Sequence, residues 1–151
     1  RILRTRKNRF GNTEEIGVFE MSKEGLKEVN NPSDMFVSNN DNNLSGISLS
    51  ASLEGIRPMI IELQALVSSA VYGNPQRTST GFDIRRINMI LAVLEKRAGF
   101  RLNQKDVFVN IAGGLKILDP GMDLAMAAAI LSSDQDISIP VKTILCGELG
   151  L

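Results

Sequence analysis

Two stretches, GISLSASLEG and MIIELQALV, constrain the fold more than any other part of the sequence. In the first, Ile47, Leu49, Ala51 and Leu53 alternate with Ser48, Ser50, Ser52 and Glu54. In the second, Met59, Ile61, Leu63, Ala65 and Val67 take every other position. Successive side chains of a strand point to opposite faces, so each run describes a half-buried strand with its apolar set turned inward. Gly55 and Pro58 mark a turn between them. The pair reads as an antiparallel hairpin. Its register is well specified, because a one-residue slip would move either apolar set into water.

The remaining segments fit around that hairpin. IGVFEM (residues 16–21) and LKEV read as two further strands joined by the turn SKEG, with Gly25 free to take positive φ. Pro32, Ser33 and Asp34 suggest a single helical turn. SNNDNNLSG, residues 38–46, is the best linker, and YGNPQRTSTGF, residues 72–82, reads as a polar loop. In DIRRINMILAVLEKRAG, Ile84, Ile87, Leu91, Leu94 and Ala98 recur at helical spacing. Asp83 is placed to cap that helix, Lys96 and Arg97 to complement its negative end, and Gly99 to close it in the left-handed region. VFVNIAGG predicts a strand running into a glycine turn. DPGMDLAMAAAILSS predicts a second helix, with Asp119 as N-cap and Pro120 at its first position, and KTILCGE a last short strand. The expected fold is α/β (α+β), a mixed sheet with the two helices packed on one side.

Composition narrows the chemistry. Seventeen basic and seventeen acidic residues cancel over 151 residues, yet Arg1, Arg4, Arg6, Lys7 and Arg9 all precede the first acid, Glu14. Without those five, twelve bases face seventeen acids, so positive charge is local rather than general. With no histidine and a single cysteine, a Cys/His zinc site, a Ser-His-Asp triad and a Cys-His pair are excluded within the chain. Cys146 is expected to be a buried small apolar residue. No apolar run approaches the ~20 residues that span a bilayer, and low cysteine usage suits the cytoplasm.

Several motifs invite functional readings. Gly113-Gly114 follows a strand, but IAGGLKILDP has neither phosphate-loop spacing and reads as a structural turn. Asp119 and Asp123, four residues apart, suffice for capping and dipole complementation. The free N–H groups at Asp119-Pro120-Gly121 are an alternative anion site. Arg85 and Arg86 read as a solvated helix face, with a nucleic-acid contact as the alternative. In RTRKNRFG the arginines offer planar forks for phosphate, Lys7 a point charge and Phe10 a stacking surface. A frayed basic terminus is the competing reading.

The motif Lys7-Asn8-Arg9-Phe10-Gly11 resembles the KNRFG signature of the RadA (Sms) family of bacterial DNA-repair proteins. The resemblance continues through EIGVFEM, GLKEV, NPSDMFV, EGIRPMIIELQALV, FDIRRINMILAVLEKRAG, DVFVNIAGG and GELGL, nearly the whole chain. It implies a RecA-type ATPase with an N-terminal zinc finger and a C-terminal domain resembling the proteolytic domain of Lon. Such proteins assemble as hexameric rings that use ATP on DNA and extend recombination intermediates by branch migration. By this resemblance residues 1–37 are the end of the motor domain, 38–46 a linker, and 47–151 a Lon-like domain cut short at its C-terminal side. The chain is then an excised piece of a longer protein.

The resemblance also implies roles for residues. ATP, Mg and Zn belong to the parent protein, whose Walker motif and zinc cysteines lie upstream, so none is expected as a cofactor of this piece. Lys7 or Arg9 would sense ATP phosphates across a subunit boundary, or couple that state to DNA. A Lon-type serine peptidase is the alternative function, but alignment of DPGMDLA with the family's GPSAG places Gly121 where the nucleophile belongs, and the dyad lysine would fall beyond Leu151. The favoured expectation is a non-catalytic scaffold that holds a homo-oligomeric ring and contacts single-stranded or branched DNA, with a recombinase as a candidate partner. Arg77, Arg85, Arg86, Lys96, Arg97, Arg101 and Lys105 are the candidate DNA-binding residues.

Overall fold

The computed structural model describes residues 2–11, 13, 16–29, 37, 44–54, 57–71, 73–140 and 142–151. The expected helical turn at Pro32–Asp34 and most of the 38–46 linker lie outside these. Two sheets are present among the described residues. The first is small: β1 (Ile2–Arg4), β2 (Ile16–Ser22) and β3 (Gly25–Glu28) pair antiparallel in that order. The β2–β3 hairpin is the one expected from IGVFEM and LKEV. Its turn is closed by Gly25 at φ 114° and by the Ser22 hydroxyl donating to the Gly25 carbonyl. β1 lacks a legible pattern at three residues and was not expected.

The second sheet contains β4 (Ile47–Glu54), β5 (Arg57–Ser69), β6 (Arg77–Thr80) and β7 (Lys105–Ile111), in the order β4-β5-β7-β6. The β4–β5 hairpin forms as expected, with Ile47 opposite Gln64 and Leu53 opposite Pro58. β5 and β7 are antiparallel and β6 joins β7 in parallel, so the sheet is mixed. β6 lies inside the segment read as a polar loop. Its four residues, RTST, carry no apolar alternation, and only pairing along the edge of β7 makes them a strand.

Two helices cover one face. α1 (Ile84–Ala98) is capped as the sequence indicates: the Asp83 side chain accepts from Arg85 N–H, and Gly99 at φ 78° closes the end. Ile87, Ile90, Leu91 and Leu94 are its buried stripe. Pro120–Met122 forms one 3-10 turn, capped by Asp119 through Gly121 N–H, and α2 (Asp123–Gln135) follows directly. α2 packs on β4 and β5 on one side and touches α1 on the other. That position explains why its buried residues, Ala125, Met126, Ala127, Ala129 and Ile130, do not form a single stripe. The core is continuous from Met59, Ile61 and Leu63 of β5 through Val107, Val109 and Ile111 of β7 to both helices. Each such side chain contributes about 1.5–3 kcal/mol when fully buried.

One face assignment is inverted. On β4 it is Ser48, Ser50 and Ser52 that are buried, while Leu53 is 66% exposed and Ala51 is open to solvent. Each serine finds a partner inside: Ser48 donates to the Ala125 carbonyl, Ser50 to the Leu145 carbonyl and Ser52 to Asp119 Oδ2. Small hydroxylated residues let α2 approach the strand closely and leave no buried hydroxyl unsatisfied, which removes the usual penalty of polar burial. The C-terminal stretch also differs from expectation. It runs beside β4 with a single parallel bridge, Leu49 to Ile144, instead of a full strand. Cys146 in it is exposed, not buried, and its thiol lies 3.7 Å from the Ser50 hydroxyl and 3.8 Å from the Ala51 carbonyl.

Candidate nucleic-acid interface

The topology sorts the seven cations proposed from sequence into two groups. β7 begins where the connection from α1 arrives, Ser69 at the end of β5 pairs with Lys105, and Arg77 at the start of β6 pairs with Val107. Lys96 and Arg97 are in the last turn of α1, and Arg101 follows it. Arg77, Lys96, Arg97, Arg101 and Lys105 therefore belong to one end of the domain. Arg85 and Arg86 are in the first turn of α1, about 16 Å away along the helix.

At the first end lies a cleft of about 740 Å³, lined in part by Ser69, Arg101, Asn103, Gln104 and Lys105. Lys96, Arg97 and Arg101 are exposed, with no ion pair among the described residues. Lys105 is half-buried and its ammonium pairs with Asp134, whose side chain is buried on α2. The Arg77 guanidinium donates to Asn88 Oδ1 of α1 at 3.2 Å. The available positive charge is thus that of Lys96, Arg97 and Arg101. Asn103, Gln104 and Ser69 add neutral hydrogen-bonding groups that the sequence reading did not single out, because nothing in their local pattern marks them.

The other end is built differently. Arg85 is 88% exposed and folds back on Asp83 at 3.1 Å; the same hydrogen bond raises the arginine's pKa and lowers the Asp83 carboxyl below its ordinary value. Arg86 departs from the solvated-face expectation. Its guanidinium makes a forked pair to both oxygens of Asp123, each at 2.5 Å, and Asp123 has no exposed surface. That hydrogen bonding is the main cause of a raised Arg86 pKa. Asp123 Oδ2 also accepts from Leu149 N–H, and Glu148 approaches Arg86 at 3.5 Å. A buried carboxylate is tolerable only when paired and hydrogen-bonded. The cluster therefore pins the C-terminal stretch across the start of α2.

The same cluster governs the region aligned with a peptidase nucleophile. Gly121 has no side chain to attack with, and its N–H donates to Asp119 while its carbonyl accepts from Gly147 N–H. Leu124 N–H donates to the Gly147 carbonyl, so a first-turn donor that an anion would use is taken. Ser132 donates to the Ile137 carbonyl and accepts from Gly46 N–H, and Ser133 accepts from Val67 N–H. Both serines tie the end of α2 to the sheet. Gly113 and Gly114 sit at φ 74° and 67° in a 3-10 turn after β7, the structural turn expected.

In the KNRFG segment, Arg6, Lys7, Arg9 and Phe10 are all exposed, Phe10 at 98%. Asn8 Oδ1 accepts from Phe10 N–H at 3.1 Å, and a Cβ on Gly11 would sit 2.8 Å from Asn8 Nδ2. Only the mobile tip of the Asn8 side chain crowds Gly11, and the turn displays the basic and aromatic side chains outward. Among the described residues no group of three or more acids or cysteines converges to hold a metal, and no helix is long and apolar enough to cross a membrane.

The whole chain aligns with proteins described as "DNA repair protein RadA". That of Halalkalibacterium halodurans is 46% identical over 151 residues, all of this chain and 33% of that protein. Those of a Synechocystis strain and of Brucella abortus are 47% and 49% identical over the same 151 residues, which cover 30% and 32% of their lengths. The chain therefore spans about a third of the curated relatives it matches. No family model matches it.

Proposed function

This chain belongs to the RadA family of bacterial DNA-repair proteins, and on that premise we propose that it is a non-catalytic part of a ring-forming DNA-repair ATPase that helps hold the ring and contacts DNA. In this reading residues 47–151 are the Lon-like domain, and residues 1–37 close the motor domain. Lys7 and Arg9 act on ATP of a neighbouring subunit or pass its state to DNA. Such a cation would stabilise charge developing on the γ-phosphate. The protein would act in the cytoplasm, with ATP, Mg and Zn held by other parts of it. Peptidase chemistry finds no support, since Gly121 brings no nucleophile.

One observation carries the DNA reading. Lys96 and Arg97 in the last turn of α1 and Arg101 just beyond it are exposed and without ion pairs among the described residues, and Arg101 lines a cleft shared with amides and a hydroxyl. Arg85 and Arg86, at the opposite end, are engaged by Asp83 and Asp123 and are left out of the contact. Phosphate contacts release counterions, so affinity falls with salt by about 0.7 log units per log unit for each phosphate of a single strand. Binding of the 151-residue chain to a labelled oligonucleotide across a salt series is the test. A steep slope supports the contact, and a flat response would leave only an assembly role. For Lys7 and Arg9, unchanged DNA-dependent ATPase and branch migration in Lys7→Ala and Arg9→Ala forms of a full-length RadA protein would refute the assigned role.

A further inference from the structure

On the face of the four-stranded sheet away from the helices, across β5, β7 and β6, is a hollow of about 320 Å³. Its walls come from two adjacent rows of cross-strand neighbours. Leu66, Phe108 and Thr78 form one row, and Gln64, Asn110 and Thr80 the next. Phe108 and Asn110 alternate with the buried Val107, Val109 and Ile111, so β7 has two chemically distinct faces. The volume is at the lower end of the range of about 300–1,000 Å³ that ligand pockets occupy.

The polar groups in the hollow are oriented rather than loose. Gln64 Nε2 donates to Glu62 Oε1 at 2.7 Å, which turns its Oε1 toward Asn110. Asn110 Nδ2 then donates to that Oε1 at 3.1 Å. The relay leaves the Asn110 Oδ1 acceptor and one remaining N–H for the hollow that Phe108 also lines. An aromatic face next to a fixed amide, rimmed by the exposed Thr78 and Thr80, is the arrangement that holds a planar heterocycle: the ring stacks and the amide meets its polar edge. An apolar protein side chain would fill the space but leave the amide oxygen without a donor.

We propose that this hollow is a nucleobase subsite for single-stranded nucleic acid, with Phe108 as the stacking platform and Asn110 as the edge-reading group. The inference rests on the DNA reading above and sharpens it to a strand type. Charge places the rest of the ligand. The hollow itself has no exposed cation, but three residues further along the strands, about 10 Å, Ser69 and Lys105 border the cleft that holds Arg101. Lys105 is held by Asp134 on the helix side, so phosphates of the same strand reach Arg101 around the end of the sheet when one base sits on Phe108. Asp106, the acid on this face between the two sites, accepts from Gln76 N–H. A duplex keeps its bases stacked inside and cannot offer one to a hollow in a sheet.

The test uses the absence of tryptophan from the chain. In a Phe108→Trp variant the indole is the sole tryptophan fluorophore. Single-stranded oligothymidine is expected to quench it, and a duplex of equal length is not. In parallel, Phe108→Ala is expected to weaken single-strand binding roughly 5- to 150-fold while leaving its salt slope unchanged, and Phe108→Tyr to restore it. Salt-dependent binding that is the same in Phe108→Ala, with no quenching of the Phe108→Trp variant, would overturn the subsite and leave the DNA reading standing. No salt-dependent binding by the unaltered chain would remove both.

Discussion

The two sheets of this molecule have similar hairpins and very different interiors. In β1–β3 Val18 is the one buried apolar side chain among the described residues, while Leu3, Met21 and Leu26 are each half or more exposed. In the sheet of β4–β7, both helices close over a core that runs from Met59 to Ile130. Charge follows the same division. The described ion pair of the first sheet, Lys27 with Glu24, is largely in water, whereas Arg86 with Asp123 is sealed at one partner. Hairpin pairing alone confers little stability on two or three strands. The contrast assigns the stability of the chain to residues 47–151 and leaves the first sheet as a surface-bearing element.

Substitutions matched across the two regions can break that contrast. Among the charged residues the largest effect is expected from Asp123→Ala, which strands the Arg86 guanidinium and removes the acceptor of Leu149 N–H. A loss of about 3 kcal/mol in chemical denaturation is expected, the lower end for a broken buried pair because Arg86 keeps 26% of its side chain in water. Glu24→Ala should change stability by less than about 0.5 kcal/mol. Next come the apolar residues. Ile90→Ala, at a fully buried site, is expected to cost about 2–4 kcal/mol by the same measurement, and Met21→Ala no more than about 0.5 kcal/mol. Equal losses at Ile90 and Met21 would show that the first sheet has an interior of its own.

Smaller effects sharpen the picture at the helix start. Asp83→Ala removes the cap of α1 and should lower stability in thermal melting at neutral pH, by less than the buried-site substitutions do. The folded-state pKa of Asp83 is depressed, first by its hydrogen bond to Arg85, from an ordinary value of 3.8. Its stabilising contribution is therefore present above that value and is lost as pH falls through the lower, folded-state one. The difference between the parent chain and Asp83→Ala should be constant from neutrality to about pH 5 and shrink below pH 4. A difference that grew on acidification would contradict this assignment.

What was legible in the sequence follows from which forces act locally. The hairpin β4–β5, the stripe of α1 and its caps at Asp83 and Gly99 were readable because spacing and cap chemistry act within a few residues. The inward face of β4 was not, since Ser48, Ser50 and Ser52 are buried only because α2 and the C-terminal stretch supply their acceptors. β6 was hidden for a similar reason: RTST becomes a strand through the edge of β7. Cys146 was misplaced because the C-terminal stretch makes one bridge rather than a ladder, which leaves the residue exposed. Arg85 and Arg86 are candidate cations from composition alone, although they open α1 and Lys96 and Arg97 close it. The partner that removes Arg86, Asp123, is 37 residues away in the chain. Gln64, Phe108 and Asn110 had a readable signal, the polar and aromatic positions alternating with a buried apolar set. Their convergence needed the β5–β7 register.

The account stands on the claim that one end of the larger domain, and not the other, meets nucleic acid. The direct measurement compares binding of a labelled single strand by the paired charge reversal Arg97→Glu with Arg101→Glu and by Arg85→Glu, each across the same salt series. The first should lose most of its affinity and flatten the salt slope by about 1.4, two phosphate contacts' worth, while Arg85→Glu stays within about twofold of the parent. Equal losses in the two variants, or an unchanged slope in the Arg97/Arg101 pair, would contradict it.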